Sequence, residues 1–221
     1  MKKKIAKQTP SRSALRRQRE KEQRYNTILR SAETLFAKKG YHQTSMEEIG
    51  DLAEVSAGTV YFYFKNKEDI LITLLKEGGF HFRKMIGDAF RQADASVEGL
   101  KNAGVVFFRD FCVQHPEKVT IIFREAVGMT EKVESVRKDL FKRMTEDIKQ
   151  ALLRISEKLD TAYRSDLSAE LLAVCIAGLY GRIATYYLIW DDRSKDLMNI
   201  AEEAVLFTIG GVEKLVAAKK Y

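Results

Sequence analysis

Proline is almost absent from this chain, and its scarcity constrains the fold more than any other feature. Pro10 and Pro116 are the only two, so positions 11–115 contain no proline, the residue that breaks helices most strongly. Apolar residues recur at helical spacing, and alternating strand patterns are hard to find. The sequence therefore predicts an all-α fold.

Basic residues are concentrated at the start of the chain, whose formal net charge is +7. Residues 1–67 hold 15 Lys and Arg against 7 Asp and Glu, whereas residues 68–221 hold 23 against 24. The whole excess lies in residues 1–24, because residues 25–67 are neutral. Such a segment favours contact with a polyanion. We predict a basic tail over residues 1–24, either a solvated terminus or an arm lying against phosphates, with residues 14–24 favouring helix.

Several classes of protein are disfavoured by what the sequence lacks. Cys112 and Cys175 form no CxxC pair, which argues against a disulfide framework or a structural zinc site. His81 and His115 are isolated in the sequence, so neither a metal site nor a cofactor is predicted. No Gly-rich phosphate loop, HExxH or GxSxG motif is present, so we do not expect an enzyme.

Two segments bear on localisation. The first residues are charged, but no apolar stretch follows them, as a signal peptide would require. Residues 171–190 have the length of a bilayer span and carry one charge, Arg182. Because this central arginine and several tyrosines disfavour insertion, we predict a buried helix of a cytoplasmic protein without a membrane partner.

The first part of the chain has the pattern of a helix-turn-helix. A helix is predicted over residues 24–39, and Ser45 with Glu48 has the spacing of a capping box that begins a second one. After a turn, Ser56 is a plausible N-cap for a short third helix. Two short helices after a longer packing helix indicate a DNA-binding domain over residues 25–67.

The third helix begins with small residues, which let the backbone come close to DNA, and it continues with four aromatic residues. The predicted phosphate donors are Thr44, Ser45, Tyr61, Tyr63 and Lys67. The predicted contacts with base edges are Ala57, Gly58, Thr59 and Phe62. The alternative is an ordinary three-helix core with tyrosines on its surface.

Three stretches resemble the DNA-binding signature of the TetR/AcrR (tetracycline-repressor-like) family: FAKKGY at 36–41, TSMEEI at 44–49 and VSAGTVYFYFKNKED at 55–69. The resemblance implies an all-helical homodimeric repressor that releases DNA when a small ligand enters its C-terminal domain. It also implies positions that touch DNA, and these match Thr44, Thr59, Tyr61, Phe62, Tyr63 and Lys67.

The remaining residues, 68–221, are predicted to form a helical ligand-binding and dimerisation domain. Helices are expected over 67–90, 97–114, 117–129, 131–158, 167–190 and 195–217. The pair Gly78-Gly79 interrupts the first of these, and it indicates either close packing, for example against the DNA-binding domain, or a hinge.

The last two helices are the candidates for the dimer interface, since two DNA half-sites need two copies of the chain. The predicted interface residues are Ala177, Gly178, Gly181, Ile200, Ala204, Phe207, Gly211 and Leu215. The other helices would enclose an apolar ligand, although such side chains also form ordinary cores. The candidate pocket residues are Phe107, Phe111, Phe123, Arg124, Arg182 and Tyr187.

These observations predict a repressor that binds a near-palindromic, double-stranded DNA operator as a homodimer and is released by a small hydrophobic inducer. The alternative is a DNA-binding protein of the same fold that has no inducer and that organises DNA or acts in cell division.

Overall fold

The structure of the protein is a computed structural model that describes residues 11–92 and 96–218. Helices dominate this part of the chain, which confirms the all-α prediction. The chain divides into two compact units, residues 1–70 and 71–221.

The N-terminal unit contains three helices and the start of a fourth. They are α1 (Arg12–Lys39), α2 (Met46–Leu52), α3 (Ala57–Tyr63) and the beginning of α4 (Lys67–Gln92). Side chains from the first three helices form its core, and Ile28, Phe36, Ile49 and Val60 are fully buried. This core holds α2 and α3 in place, although each has only seven residues.

Helix α1 begins at Arg12, earlier than the predicted start at residue 24. The Ser11 side chain accepts a hydrogen bond from the backbone N–H of Ala14 and caps the helix. Residues 12–24 contain no glycine or proline, so helix propensity extends α1 beyond the apolar pattern. The first ten residues of the predicted tail lie outside the described residues.

The C-terminal unit is a helical assembly with one short strand pair. Its helices after α4 are α5 (Val97–Val106), α6 (Pro116–Thr120), α7 (Glu131–Lys158), α8 (Asp166–Ala184) and α9 (Leu197–Leu215). Strand β1 (Thr161–Tyr163) pairs antiparallel with β2 (Val216–Ala218), so that Thr161 lies opposite Ala218. Neither strand was predicted from the sequence, since three residues are too few to show alternation.

Three predicted helices change their winding partway along. π-Helical segments follow α5, α6 and α8 over Phe107–Cys112, Ile121–Glu125 and Thr185–Trp190. A 3₁₀ turn over Ser194–Asp196 precedes α9. Apolar spacing does not distinguish these windings, so the sequence predicted ordinary helices there.

The glycine pair in α4 is a packing feature within the C-terminal unit, and α4 continues through it without a break. A Cβ atom on Gly79 would clash with Leu140 Cδ1 of α7, whereas one on Gly78 would meet no atom closer than 3.6 Å. Glycine at position 79 therefore lets α4 approach α7 closely. The structure places this packing partner on α7.

Among the described residues, the segment Leu167–Trp190 is the one helix long and apolar enough to cross a membrane by length and composition. Core helices of soluble proteins pass the same test, and 44% of its most apolar window is buried inside the protein. Helix α8 packs against both α7 and α9. We therefore interpret it as a core helix with one exposed side.

Candidate nucleic-acid interface and ligand cavity

Helix α2 is capped at its start, and a tight turn joins it to α3. The Ser45 hydroxyl oxygen accepts from the Glu48 backbone N–H at 3.1 Å, and the Glu48 carboxylate accepts from the Ser45 N–H at 2.8 Å. This is the predicted capping box. A Cβ atom on Gly50 would lie 2.8 Å from the carbonyl oxygen of Val55, so glycine permits the turn to pass close to α2.

Helix α3 presents its N-terminal turn and two aromatic rings to solvent. Ser56 caps it by accepting from the Thr59 backbone N–H at 3.2 Å, and the two hydroxyl oxygens lie 3.0 Å apart. Gly58 is exposed, and the side chains of Tyr61 and Phe62 are 51% and 73% exposed. Apolar burial does not explain these rings, which makes this side of α3 the candidate surface for base contacts.

The other side of α3 is anchored in the N-terminal unit. Val60 is fully buried and Phe64 almost so, as the four-residue spacing predicts. The half-buried Tyr63 ring lies 6.2 Å from the Tyr25 ring of α1, and Tyr25 stacks on Phe64 at 5.1 Å. Ala57 is half-buried at the first turn.

Two predicted phosphate donors need correction, because their polar atoms are committed within the protein. Thr44 is only 2% exposed, and its hydroxyl donates to the Gly40 carbonyl oxygen at 2.9 Å. It holds the end of α1 to the start of α2. The half-buried Ser45 caps the N-terminus of α2, and because its backbone N–H donates to the Glu48 carboxylate, its hydroxyl is the group that stays a candidate phosphate donor.

Lys67 is the second correction. Its ammonium donates to three backbone carbonyl oxygens, those of Tyr41 at 2.9 Å, His42 at 3.3 Å and Thr44 at 2.5 Å. It also lies 4.7 Å from the centre of the Tyr41 ring. Burial lowers the pKa of the Lys67 ammonium. Because all three of its N–H groups have acceptors, Lys67 fixes the segment between α1 and α2 and does not reach out to a phosphate.

The C-terminal unit encloses a cavity of about 490 Å³. Side chains from α4, α5, α7 and α8 line it, together with Phe107 and Phe123 from the π-helical segments after α5 and α6. Its apolar lining includes Phe90, Leu100, Phe107, Met144, Ile148, Ile176 and Tyr180. The volume and the apolar walls are those of a small-molecule site.

Charged side chains border the same cavity with an excess of positive charge. The cations are Arg83, Lys84, Arg91 and Arg154, and the one carboxylate among the lining residues is Asp147. The Arg83 guanidinium donates twice to Asp147, at 2.6 Å and 3.0 Å, and thereby links α4 to α7. This hydrogen bonding raises the pKa of Arg83. The cavity can therefore accept an apolar body that carries an anionic group.

Two of the six predicted pocket residues, Phe107 and Phe123, line the cavity. Phe111 is fully buried beside it in a cluster of aromatic rings. The other three lie outside the lining of this cavity, and their role in ligand binding stays a prediction. The Arg124 guanidinium pairs with Glu125, Arg182 lies 4.3 Å from the centre of the Trp190 ring, and Tyr187 contacts Arg193.

The two histidines that are isolated in the sequence meet in the fold. His81 Nε2 on α4 lies 3.1 Å from His115 Nε2, which immediately precedes α6. No group of three or more metal-ligating side chains occurs among residues 11–92 and 96–218. Burial raises the pKa of the neighbouring Cys112 thiol.

Some of the predicted dimer residues are buried within the protomer, and others are half-buried or exposed. Ala177, Gly181 and Ala204 are buried within the protomer, where Gly181 faces Phe123: a Cβ there would lie 2.7 Å from Phe123 Cε1. These three pack inside the protomer, and their place in a dimer interface stays a prediction. Ile200, Gly211 and Leu215 are half-buried, whereas Gly178 and Phe207 are exposed.

A different set of apolar side chains on α8 and α9 faces solvent. It comprises Leu167, Leu171, Val174, Leu206 and Phe207, with exposed fractions between 52% and 73%. On α8 these positions recur every three or four residues and so lie on one side of the helix. We name this set the outer apolar face, and exposed apolar patches of this kind commonly mark interaction sites.

Residues 28–81 match the family model described as bacterial regulatory proteins, tetR family. The chain is 38% identical over 82 residues to the fatty acid metabolism regulator protein of Bacillus subtilis, covering 37% of this chain and 42% of that protein. It is 26% identical over 192 residues to the HTH-type transcriptional activator FasR of Mycolicibacterium smegmatis, covering 87% and 84%. The matched regions span about half the length of several curated relatives.

Among solved structures, the chain resembles the regulator FadR from Bacillus subtilis in complex with stearoyl-CoA. The TM-score is 0.75 at 23% identity, and the alignment covers 85% of this chain and 98% of that one. This likeness shows that the two chains share a fold.

We expect Lys67→Met to destabilise the N-terminal unit by about 1–3 kcal/mol, because three carbonyl oxygens would lose a charged donor. Lys65→Met removes the same charge at an exposed position and should change stability little. Urea denaturation followed by circular dichroism compares the two variants. Equal midpoints would contradict the anchoring role of Lys67.

Proposed function

Because the chain belongs to the TetR family of bacterial regulatory proteins, we propose that it represses transcription as an operator-bound homodimer and releases DNA when an amphipathic anion enters its cavity. It is a transcriptional regulator of the cytoplasm and performs no reaction of its own, as the names of its relatives suggest. We favour repression because a regulator bound at its operator blocks RNA polymerase without needing a further protein-binding surface.

The exposed side of α3 is the observation that carries the DNA-binding proposal. Gly58 and Thr59 let the helix approach base edges, and the Phe62 ring can contact thymine methyl groups in the major groove. Ser45 and Tyr61 flank this surface as phosphate donors, and the half-buried Tyr63 hydroxyl is a further candidate. Two copies would read a near-palindromic site.

The full-length protein should select a specific duplex from a library with a random central segment. Phe62→Ala should then bind that duplex about tenfold to a hundredfold more weakly, since a good base contact contributes about 1–3 kcal/mol of discrimination. Tyr186→Ala is the control, because Tyr186 is an aromatic residue of the C-terminal unit that is 46% exposed and lies outside the cavity lining. Fluorescence anisotropy measures both; wild-type affinity in Phe62→Ala would refute the assignment.

The outer apolar face supports the proposal of a homodimer. A second copy that packs its own α8 and α9 against this face would form a four-helix interface with two-fold symmetry. The same arrangement provides the two recognition helices that a palindromic operator needs.

We expect Phe207→Glu to produce a monomer, since each copy would bury a charge in the proposed interface. Leu159→Glu places the same charge on a leucine that is 52% exposed and lies outside the outer apolar face. Sedimentation velocity gives the mass of each variant. A Phe207→Glu protein that remains dimeric, like the Leu159→Glu control, would exclude this face as the interface.

The cavity supports a long-chain fatty acyl-CoA as the ligand class. Its apolar walls suit an acyl chain, and the cations at its border suit phosphate groups. The fold is shared with the Bacillus subtilis regulator FadR solved with stearoyl-CoA, and the Bacillus subtilis relative matched in sequence is named for fatty acid metabolism. For this chain the argument rests on its own lining residues, above all on Lys84 and Arg154 around an aromatic interior.

Ala177→Trp should weaken the binding of palmitoyl-CoA at least tenfold, because the indole would project from α8 into the space that the ligand needs. Leu153→Trp adds the same ring at a position of α7 outside the lining, and it should bind normally. Isothermal titration calorimetry measures both, with thermal melting as a check on folding. A wild-type protein that binds no acyl-CoA would favour the alternative of a DNA-binding protein without an inducer.

A further inference from the structure

The first turns of α1 form a basic helix that the core of the N-terminal unit does not require. All residues from 12 to 24 are exposed. This segment holds six Lys and Arg and two Glu. A solvated helix with this charge is a surface for a polyanion.

The basic segment of α1 lies directly beside the recognition helix. The Lys21 ammonium is 5.9 Å from the centre of the Phe62 ring, which is the most exposed ring of α3. One turn further along, Tyr25 packs against Tyr63 and Phe64. Any duplex that contacts Phe62 therefore approaches this part of α1 as well.

The cations on this side of α1 form a row. Arg17 and Arg24 are four residues before and three residues after Lys21, so all three lie on one side of the helix. We name these three residues the phosphate stripe. At 1.5 Å per residue it extends over roughly 10 Å along α1.

The opposite side of the same segment carries an equal number of cations. Arg12, Arg16 and Arg19 lie there by the same periodicity, and we name them the outer arginines. The Arg16 guanidinium is already paired with Glu20 at 2.8 Å. The two sets have equal charge and exposure, and they differ in whether they face α3.

We propose that the phosphate stripe is a second DNA-contacting element, which binds backbone phosphates next to the groove that α3 occupies. The inference rests on the proposed function and extends it to a surface outside the helix-turn-helix. Long basic side chains on a straight, exposed helix suit phosphates, whereas base edges need the close approach that the small residues of α3 permit. The stripe thus adds affinity and register, and it does not choose the sequence.

The test compares two full-length triple variants, one with the phosphate stripe and one with the outer arginines changed to alanine. Both lose the same charge and keep a strong helix former at each position. Fluorescence anisotropy over a salt series measures their binding to the duplex that the wild type selects and to a duplex of mixed sequence. Circular dichroism confirms that α1 remains helical.

Loss of the stripe should reduce the slope of log affinity against log salt by about three for each bound protomer, one for each phosphate contact. Affinity should fall by the same factor on both duplexes, so the ratio between them stays as in the wild type. The variant of the outer arginines should keep most of the wild-type slope.

Equal changes of slope in the two variants would overturn the proposal, because bulk charge would then explain the effect. So would a stripe variant that keeps the wild-type slope, or one whose preference for the selected duplex disappears. A wild type that selects no duplex overturns the proposed function together with this inference, whereas a failure confined to the stripe variant leaves the proposed function intact.

Discussion

Helix α8 carries apolar side chains on both of its sides, and the C-terminal unit is organised around the need to bury them. Its inner side supplies Ala177, Tyr180 and Gly181 to the cavity, and its outer side exposes Leu171 and Val174. A helix that is apolar on all sides is stable only when it is covered on all sides. A ligand would cover the inner side and a second copy the outer one, so a single helix touches both proposed partners.

The DNA-binding surface depends on a few contacts that hold a short helix in place. Helix α3 is too short to persist by itself. It keeps its place through the Ser56 cap, the buried Val60 and Phe64 side chains and the close turn at Gly50. The Lys67 ammonium fixes the segment before α2 in the same unit. The exposed Phe62 ring is thus presented by a rigid support, which base recognition requires.

Local signals explain where the sequence predicted the structure well. Caps such as Ser45 with Glu48 act over three residues, and the exposed position of Phe62 follows from helical periodicity. Contacts between distant segments explain the failures. The acceptors of Lys67 are carbonyl oxygens more than twenty residues away, and no spacing rule shows that His81 meets His115.

The C-terminal unit was predicted less well for a related reason. Small residues permit close approach within one protomer or between two, and the sequence does not tell these cases apart. Gly181 makes room for Phe123 inside the protomer, whereas Gly178 faces solvent. Arginines in an apolar stretch are equally ambiguous: Arg182 lies against the Trp190 ring and away from the cavity.

The central claim is that occupancy of the cavity controls DNA binding, and one titration tests it most directly. Palmitoyl-CoA is added to a preformed complex of the full-length protein with its selected duplex, while DNA anisotropy reports release and native mass spectrometry counts bound ligands. The account predicts that the duplex is released as one acyl-CoA binds to each protomer. A protein that is saturated with acyl-CoA and still holds the duplex with unchanged affinity would contradict it.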